Sequence, residues 1–314
     1  MGIVKKTLAK LKHELKFGNT NYYTRVSEKI LKNRYRKALS RKIRSLPPIT
    51  LNSESAKLTV AILANQKNFF ESVAALYSFC FWERNVCVHY HEDGSLTNTE
   101  IDFLRIIFPG ITIFKRTDED AKVKEHLLGA GLTNCAALRD HFIFSLRLFD
   151  MVIEKKTPYL LQIDSDVLFY SRPAEVFDIA AGNQYNGCYN LDLPAASYTF
   201  TDAVMNTLLP VPIIQRFNAG LFLHNFNEGL FSFSEDILKK HPESARSWHL
   251  EQTLFAMYAS VKGSFIALPK QYDLGRRERK QGYQIISEHF VHSTGHDFHK
   301  DFLKKLVPVY TLQN

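Results

Sequence analysis

The first residues in the sequence whose type and spacing could do chemistry are two aspartates, Asp164 and Asp166. They follow a continuous apolar run, residues 159–163, and precede the apolar residues 167–169. Such a run is typical of a buried strand in a parallel sheet, and open α/β sheets bind ligands where their strands end. Two carboxylates beside a core need neutralisation, which a divalent cation provides while keeping positions free for phosphate oxygens. The pair therefore indicates a site for a metal and a diphosphate.

Aspartates at this spacing also occur on solvated turns, so the other polar segments of the chain matter. Asn218 offers an amide that can donate and accept, directly ahead of an apolar stretch that predicts a buried strand. Gly220 would allow a close backbone approach there. A predicted helix opens with Glu251 and Gln252. The segments that accompany the aspartates are residues 172–177, 217–225, 248–254 and 289–296.

The elements that must position these residues alternate between strand and helix. The patterns predict strands at 58–64, 86–91, 111–114 and 159–163, and helices at 69–82, 99–108, 118–129 and 134–154. This alternation predicts an α/β fold in which a mostly parallel sheet is flanked by helices on both faces.

Composition places the protein among globular proteins. The chain has 314 residues, of which 45% are hydrophobic, with 24 Phe and 14 Tyr. No apolar stretch approaches the ~20 residues that span a bilayer, and no apolar segment typical of a secretory signal follows the first lysines. The cysteines show no zinc-binding spacing, so we interpret them as reduced core thiols of a cytoplasmic protein. They are Cys80, Cys87, Cys135 and Cys188.

The positive charge of the chain is concentrated at its start. Residues 1–48 carry 14 Lys and Arg and two acids, a net +12, whereas the whole chain is +8. Helical spacing of apolar residues predicts two helical stretches, broken near residues 18–21 and ended by Pro47-Pro48. We therefore predict a basic amphipathic extension at 1–48 and a second domain at 49–314. The extension is suited to an anionic membrane surface, to packing on the protein itself or on a partner, or to nonspecific contact with nucleic acid; no specific nucleic acid is expected.

Taken in order, the segments from about residue 58 to 300 resemble the GT-A nucleotide-sugar glycosyltransferases. The resemblance is strongest to the retaining glycosyltransferase family 8, which includes glycogenin and bacterial lipooligosaccharide galactosyltransferases. It implies a GT-A fold with a Rossmann-like nucleotide-binding half. It also implies metal-dependent transfer of a sugar from a nucleotide-sugar donor, expected to be a UDP-sugar, to a glycan or lipid-linked acceptor, with retention of configuration.

The resemblance also implies a metal site. Asp164 and Asp166 match the family's metal-binding Asp-x-Asp motif. His292, followed by Gly295, matches a His-x-x-Gly segment whose histidine is the third protein ligand to manganese. Two carboxylates and an imidazole suit Mn²⁺, with Mg²⁺ as the alternative. The neighbouring histidines stay open as alternatives to His292: His289, His296 and His299.

Further roles follow from the same resemblance. Arg147 lies seventeen residues before Asp164, as does a family arginine that contacts the donor. Asn218 matches the Phe-Asn-Ala-Gly stretch beside the donor sugar, and Glu251-Gln252 stands where the family has Asp-Gln at the reacting centre. The predicted catalytic residues are Asn218, Glu251 and Gln252. The predicted donor-binding residues are Ala64, Asn65, Arg147, Ser165, Gly295 and Lys300.

The chain departs from the family pattern at several positions. Phe298 occupies the place of a diphosphate-binding lysine, which Lys300 or His299 could replace. Asn65 stands where the family has an aspartate. Three other functions stay open: an inverting GT-A enzyme with Glu251 as general base, an inactive protein that binds a membrane or partner, and a nucleotidyltransferase. The last is disfavoured because residues 64–67 are not a glycine-rich phosphate loop.

Overall fold

A computed structural model describes residues 20–182, 184–193, 198–275, 281–291 and 295–312. The chain divides into two units, Leu46–Val291 and a second one drawn from Met1–Ser45 and His292–Asn314. The sequence-based boundary at residue 48 stays a prediction, and the C-terminal helices group with the N-terminal unit.

The larger unit is built on a seven-stranded sheet. Its strands are β1 (Leu58–Ala64), β2 (Cys87–Glu92), β3 (Thr112–Lys115), β4 (Tyr159–Ile163), β6 (Gly187–Leu191), β7 (Phe217–His224) and β8 (Phe265–Ala267). They are arranged in the order β3-β2-β1-β4-β7-β6-β8. The first four are parallel, β7 runs antiparallel to both of its neighbours, β4 and β6, and β6 and β8 are again parallel to each other. The four strands predicted for the parallel sheet are therefore all present, and so is the buried strand predicted after Asn218, which is β7. The reversed direction of β7 was not predicted.

Helices of the larger unit cover the sheet. They are α2 (Phe69–Trp82), α3 (Asn98–Ile107), α4 (Arg116–Gly129), α5 (Thr133–His141), α6 (Ser145–Leu148), α7 (Asp150–Glu154), α8 (Ala174–Gly182), α9 (Asp202–Leu208), α10 (Gly229–Lys240) and α11 (Leu250–Lys262). Helix α3 begins at a capping box in which Thr97 Oγ1 accepts from the Glu100 backbone N–H and the Glu100 carboxylate accepts from that of Thr97. Gly263, with a φ of 67°, ends α11.

The predicted helix at 134–154 is wrong as a single helix. Phe142 adopts an extended conformation and ends α5, and two short helices, α6 and α7, follow. The break is fixed by a buried pair in which the Arg139 guanidinium donates two hydrogen bonds of 2.8 Å to the Asp150 carboxylate. Because these residues lie eleven positions apart, they would be separated by about 16 Å along a continuous straight helix, too far for the two side chains to meet. The break places Arg147 in a short separate helix.

A second, three-stranded sheet lies next to the predicted metal-binding residues in the chain. Its strands are β5 (Val167–Phe169), β9 (Tyr272–Leu274) and β10 (Ser287–His289), in the order β5-β10-β9. Strands β5 and β10 are antiparallel, with His289 opposite Val167. This register brings His289 beside Asp166, the residue that precedes β5.

The other unit is helical. It contains α1 (Thr20–Ile43), α12 (Gly295–Asp301), a π-helical segment (Phe302–Leu306) and α13 (Val307–Leu312). Helix α1 covers the second of the two predicted N-terminal stretches and buries Leu39 and Ile43; the first, up to residue 18, lies outside the described residues. No helix within the described ranges is long and apolar enough to cross a bilayer.

Candidate functional site

The two aspartates leave the carboxyl end of β4 and are fixed through their main chain. Asp164 N–H donates to the Gly220 carbonyl on β7 at 2.8 Å, and Phe290 N–H donates to the Asp166 carbonyl at 2.9 Å. Their side chains stay partly exposed, at 33% and 41%. The carboxylates are therefore held in place by the sheets and remain accessible to a ligand.

A buried histidine completes a group of three possible metal ligands. His289 Nε2 lies 3.2 Å from Asp166 Oδ1 and 3.6 Å from Asp164 Oδ2. The three ligand atoms lie within 4.8 Å of one another, so one ion could contact them all. Burial lowers the pKa of His289, but the charges of Asp166 and Asp164 outweigh it and the net shift is upward. The site thus favours positive charge between its carboxylates.

Asn218 orients this imidazole. Its side-chain oxygen accepts the Gly220 backbone N–H at 3.0 Å, and a backbone N–H can only donate, so the oxygen position is defined. The same oxygen lies 3.0 Å from His289 Nδ1, which must therefore carry the hydrogen. In the neutral ring this leaves the Nε2 lone pair directed at the aspartates, the arrangement that a metal ligand needs.

Gly220 makes room for the cluster. A Cβ on this residue would lie 2.1 Å from His289 Cε1 and 2.9 Å from Asp164 Oδ2. Both distances are shorter than any normal contact. Only glycine fits at this position of β7 while the imidazole and the carboxylate stay where they are.

Arg147 joins the aspartates to the neighbouring helix and strand. Its guanidinium donates to Asp164 Oδ1 at 2.8 Å, to Gln162 Oε1 at 3.0 Å and to the Ala219 carbonyl at 2.6 Å. It also lies 3.2 Å from Glu251 Oε1. Burial lowers the pKa of Arg147, but the charges of Glu251 and Asp164 raise it by more. The side chain is a fixed, permanent positive charge.

Glu251 is buried on the first turn of α11. Burial raises its pKa to about 7, against the lowering effect of Arg147. Its Oε1 makes no hydrogen bond to any described residue, although it is in ion-pair range of Arg147. The carboxylate thus lines the site with an available oxygen and changes protonation near neutral pH.

A cavity extends from these residues to the surface. Its lining includes Arg147, Asp164, Asn218, Gly220, Glu251 and Trp248. Gln252 also lines it and holds its wall together, because its Oε1 accepts the Ala219 N–H at 3.2 Å. The three residues for which the resemblance implies a catalytic role therefore share one cavity with Asp164: Asn218, Glu251 and Gln252.

The remaining predicted residues stand as follows. Asn65 caps a short 3-10 turn through its side-chain oxygen, after Ala64 at the end of β1. Ser165 accepts a hydrogen bond from Asn68 at 2.9 Å. His292 lies outside the described residues, and Gly295 and Lys300 belong to α12 of the other unit. Their roles stay predictions.

Sequence reasoning missed two features of the site. It assigned His292 to the metal and kept His289 only as an alternative, whereas the β5–β10 register puts His289 at the aspartates. It also missed Asn190, which is opposite Asn218 across the β6–β7 pair. Asn190 is buried, and its amide makes no hydrogen bond to a described residue. No spacing in the sequence signals that pairing, because it includes an irregularity in β6.

The sequence matches no protein-family model and no curated protein sequence, but solved structures resemble this chain. One is the glycosyltransferase GlyE of Streptococcus pneumoniae TIGR4, with a TM-score of 0.54 and 12% identity over 82% of this chain. The chain spans 63% of the GlyE structure. The galactosyltransferase LgtC, crystallised with donor and acceptor sugar analogs, has a TM-score of 0.53 and 13% identity, and the match covers 81% of this chain and 94% of LgtC. Mouse xyloside xylosyltransferase 1 has a TM-score of 0.50 and 13% identity, and the match covers 77% of this chain and 97% of the mouse protein's chain.

These likenesses confirm the fold predicted from the sequence. The chain has the GT-A fold of nucleotide-sugar glycosyltransferases, an α/β fold with a mostly parallel central sheet and helices on its faces.

Proposed function

We propose that this protein is a metal-dependent glycosyltransferase. It moves a sugar from a nucleoside diphosphate, expected to be UDP, to a glycan or lipid-linked acceptor. The observation that carries the proposal is the convergence of Asp164, Asp166 and His289 within 4.8 Å, next to a polar cavity, on a GT-A fold.

Asp164, Asp166 and His289 have the donor set that Mn²⁺ accepts, and Mg²⁺ is the alternative. Bound there, the cation would act as a Lewis acid that stabilises the leaving diphosphate. Asn218 supports the fit, since it fixes the ring of His289 with Nε2 towards the aspartates. His292, which the resemblance implies as the third ligand, stays the proposed alternative to His289. The donor roles of Ala64, Asn65, Ser165, Gly295 and Lys300 stay part of the proposal.

The residues of the cavity would act on the donor. Arg147 places a fixed positive charge beside Asp164, where negative charge develops as the diphosphate leaves. Glu251 and Asn218 line the same cavity. The Glu251 carboxylate and the Asn218 side-chain NH₂ group, whose oxygen is already taken by Gly220 and His289, would orient the transferred sugar by hydrogen bonds to its hydroxyl groups. The bond between the anomeric carbon and the β-phosphate oxygen breaks and its electron pair leaves with the diphosphate. The acceptor oxygen bonds to the same carbon, and the proton of the acceptor hydroxyl passes to the departing diphosphate.

The proposed stereochemical course is retention, as the resemblance to family 8 implies. Glu251 supports the inverting alternative, because a buried carboxylate whose pKa is raised to about 7 is suited to act as a general base. Proton NMR of the first product formed distinguishes the two: retention requires the donor's anomeric configuration in the product, and the opposite configuration would establish inversion.

Calorimetry tests nucleotide and metal binding together. The wild-type protein is titrated with UDP, GDP and CDP, each with and without Mn²⁺, and we expect UDP to bind only with the metal. Asp166→Asn should weaken this binding at least about 100-fold, since it removes a metal ligand. Asp102→Asn, at an exposed surface ion pair, is the matched control and should bind as the wild type does.

The result also separates an enzyme from an inactive relative. Metal-dependent UDP binding accompanied by slow hydrolysis of a UDP-sugar would support turnover. If neither nucleotide nor metal bound to the wild type, the proposed function would be wrong, and a protein that uses this fold for partner or membrane binding would be favoured.

We further propose that the protein is cytoplasmic and peripheral, with the helical unit on an anionic membrane surface. The support is local: residues 30–45 carry seven Lys and Arg and no acid. Ile30 and Leu31 are exposed on α1 at 59% and 41%. Leu31 borders a groove with Leu303, and Arg34 and Lys304 line the same groove. Apolar side chains among cations are suited to insertion between anionic headgroups. Each basic residue near the membrane surface contributes about 1 kcal/mol to the binding free energy.

Vesicle co-sedimentation tests this. The full chain should bind phosphatidylcholine vesicles that contain phosphatidylserine and should not bind pure phosphatidylcholine, and added salt should release it. The double variant Ile30→Ser, Leu31→Ser should lose most of the binding. Ile106→Ser removes an equally exposed residue, at 63%, from the other unit and should have no effect. Equal binding by all three proteins would rule the membrane surface out.

A further inference from the structure

Trp248 is the most exposed large apolar side chain in the described part of the chain. Its exposed fraction is 68%, whereas the protein's other tryptophan, Trp82, is partly buried and donates its indole N–H to the Phe169 carbonyl. Exposed single apolar residues are common. Trp248 differs because of its place: it lines the cavity that also contains Arg147 and Asp164.

The indole is held in place although it is exposed. The ring of Phe144 meets it edge to face, with centroids 4.7 Å apart and an interplanar angle of 89°. The preceding residue, Ser247, accepts a hydrogen bond from Thr199 Oγ1 at 2.9 Å, and its carbonyl accepts the Leu250 N–H at 3.2 Å. The ring therefore presents a preorganised flat surface, which reduces the conformational entropy lost on binding a ligand.

The rest of the cavity is polar. Arg147, Asp164, Asn218 and Glu251 offer charges and amide groups. A pyranose ring has the matching chemistry, because its hydroxyl groups point outwards around the ring and its C–H groups form an apolar face. Such a face packs against an aromatic ring, while the hydroxyl groups reach polar side chains.

The position of Trp248 favours a role in binding the acceptor over a role in binding the donor. The cavity shares Asp164 with the metal cluster, but Asp166 and His289 do not line it. The donor diphosphate belongs at the metal cluster, so the cavity extends away from that end. Trp248, at 68% exposure, is where a sugar arriving from solvent would first meet the site.

We propose that Trp248 is the stacking platform of the acceptor subsite, and that the acceptor presents a pyranose ring there. The proposal rests on the glycosyltransferase function above and specifies the substrate class at one end of that site. Phe144 is a positioning residue that acts through the indole.

Tryptophan fluorescence tests the platform directly. The chain has two tryptophans, so Trp82→Phe leaves Trp248 as the only indole. This protein, with saturating UDP and Mn²⁺, is titrated with a panel of probes: lactose, maltose, cellobiose and methyl glycosides of galactose, glucose and N-acetylglucosamine. We expect a saturable change in emission with at least one of them. No change with any probe would overturn the proposal.

Kinetic and binding variants separate the acceptor from the donor. Trp248→Ala should raise the dissociation constant or KM for the best probe about 10-fold and leave UDP·Mn²⁺ affinity unchanged. Trp248→Phe should retain most of the affinity, and Ile106→Ala, at an exposed apolar residue, should match the wild type. A loss of UDP-sugar affinity without a loss of acceptor affinity would assign the ring to the donor and refute the proposal.

The outcomes distinguish this inference from the proposed function. If the wild type binds UDP with Mn²⁺ and Trp248→Ala leaves saccharide binding unchanged, the platform is wrong and the function stands. If the wild type binds no nucleotide with metal, the function itself fails.

Discussion

Gly220→Ala should disable the metal cluster with the smallest possible addition to the chain. The new Cβ would lie 2.1 Å from His289 Cε1 and 2.5 Å from its Nδ1. Carbon atoms pack at about 3.5–4.0 Å, so the imidazole must move by roughly 1.5 Å. That shift exceeds the tolerance of about 0.2 Å for a metal–ligand distance, and it breaks the 3.0 Å contact with Asn218.

We therefore expect two measurable losses. Affinity for UDP with Mn²⁺, measured by calorimetry, should fall about 100-fold, the upper end for the loss of a residue that orients a ligand. The free energy of unfolding, from guanidinium titration without metal, should fall by about 1–3 kcal/mol because the sheet is overpacked.

Two other glycines separate the causes. Gly182→Ala, where an added Cβ meets nothing within 4 Å, should leave both quantities nearly unchanged. Gly187→Ala would place a Cβ 1.9 Å from the Leu223 carbonyl oxygen, so it should destabilise the sheet without touching the cluster. Wild-type affinity for UDP with Mn²⁺ in Gly220→Ala would refute the assignment of His289 to the metal.

Three further results are expected. Burial raises the pKa of Glu251 to about 7, so the folded protein keeps this carboxyl protonated at pH values where the unfolded chain has lost the proton. Without metal, the free energy of unfolding of the wild type should therefore fall by up to about 3 kcal/mol, relative to Glu251→Gln, as pH rises from 4.5 to 7. Unfolding free energies that change with pH in the same way in both proteins would contradict this. Burial, with the charges of His89 and Arg139, lowers the pKa of His91 well below 6.5. The neutral ring therefore stabilises the fold above pH 6.5, and about 1.4 kcal/mol of unfolding free energy should be lost as pH falls from well above 6.5 to 5.5. Guanidinium titrations at a pH above 6.5 and at pH 5.5 should show that His91→Phe reduces this loss. Glu235 accepts the N–H groups of Asn134 and Cys135 at the start of α5, so Glu235→Ala should lower the unfolding free energy by about 1–2 kcal/mol; an unchanged melting temperature would show that this distant cap is dispensable.

The first four strands of the sheet and most of their helices were readable from the sequence because each of these elements carries its own pattern. Strand β1 and helix α2 have the bounds that apolar runs and turn residues predicted. The aspartates at the end of β4 were found for the same reason, since an apolar run followed by acids is a local signal. Where the signal is local, the prediction held.

The remainder depends on pairings between residues that are distant in the sequence. The predicted helix at 134–154 was wrong because Arg139 meets Asp150 across a turn, a contact that helical periodicity does not reveal. The choice of His289 depends on its register with Val167, and four histidines share that stretch of sequence. Asn218 was predicted to lie ahead of its strand and lies within β7, because the strand begins one residue earlier.

The β5–β10 pairing has a consequence for biosynthesis. A ribosome releases the chain from its N-terminus, so the aspartates emerge long before the imidazole that joins them. Until β10 docks, the carboxylates are a repelling pair with Arg147 as their nearest cation, and the group of three does not exist. A nascent polypeptide that stops short of β10 would therefore be unable to bind the proposed ion in this way, however well its central sheet has formed.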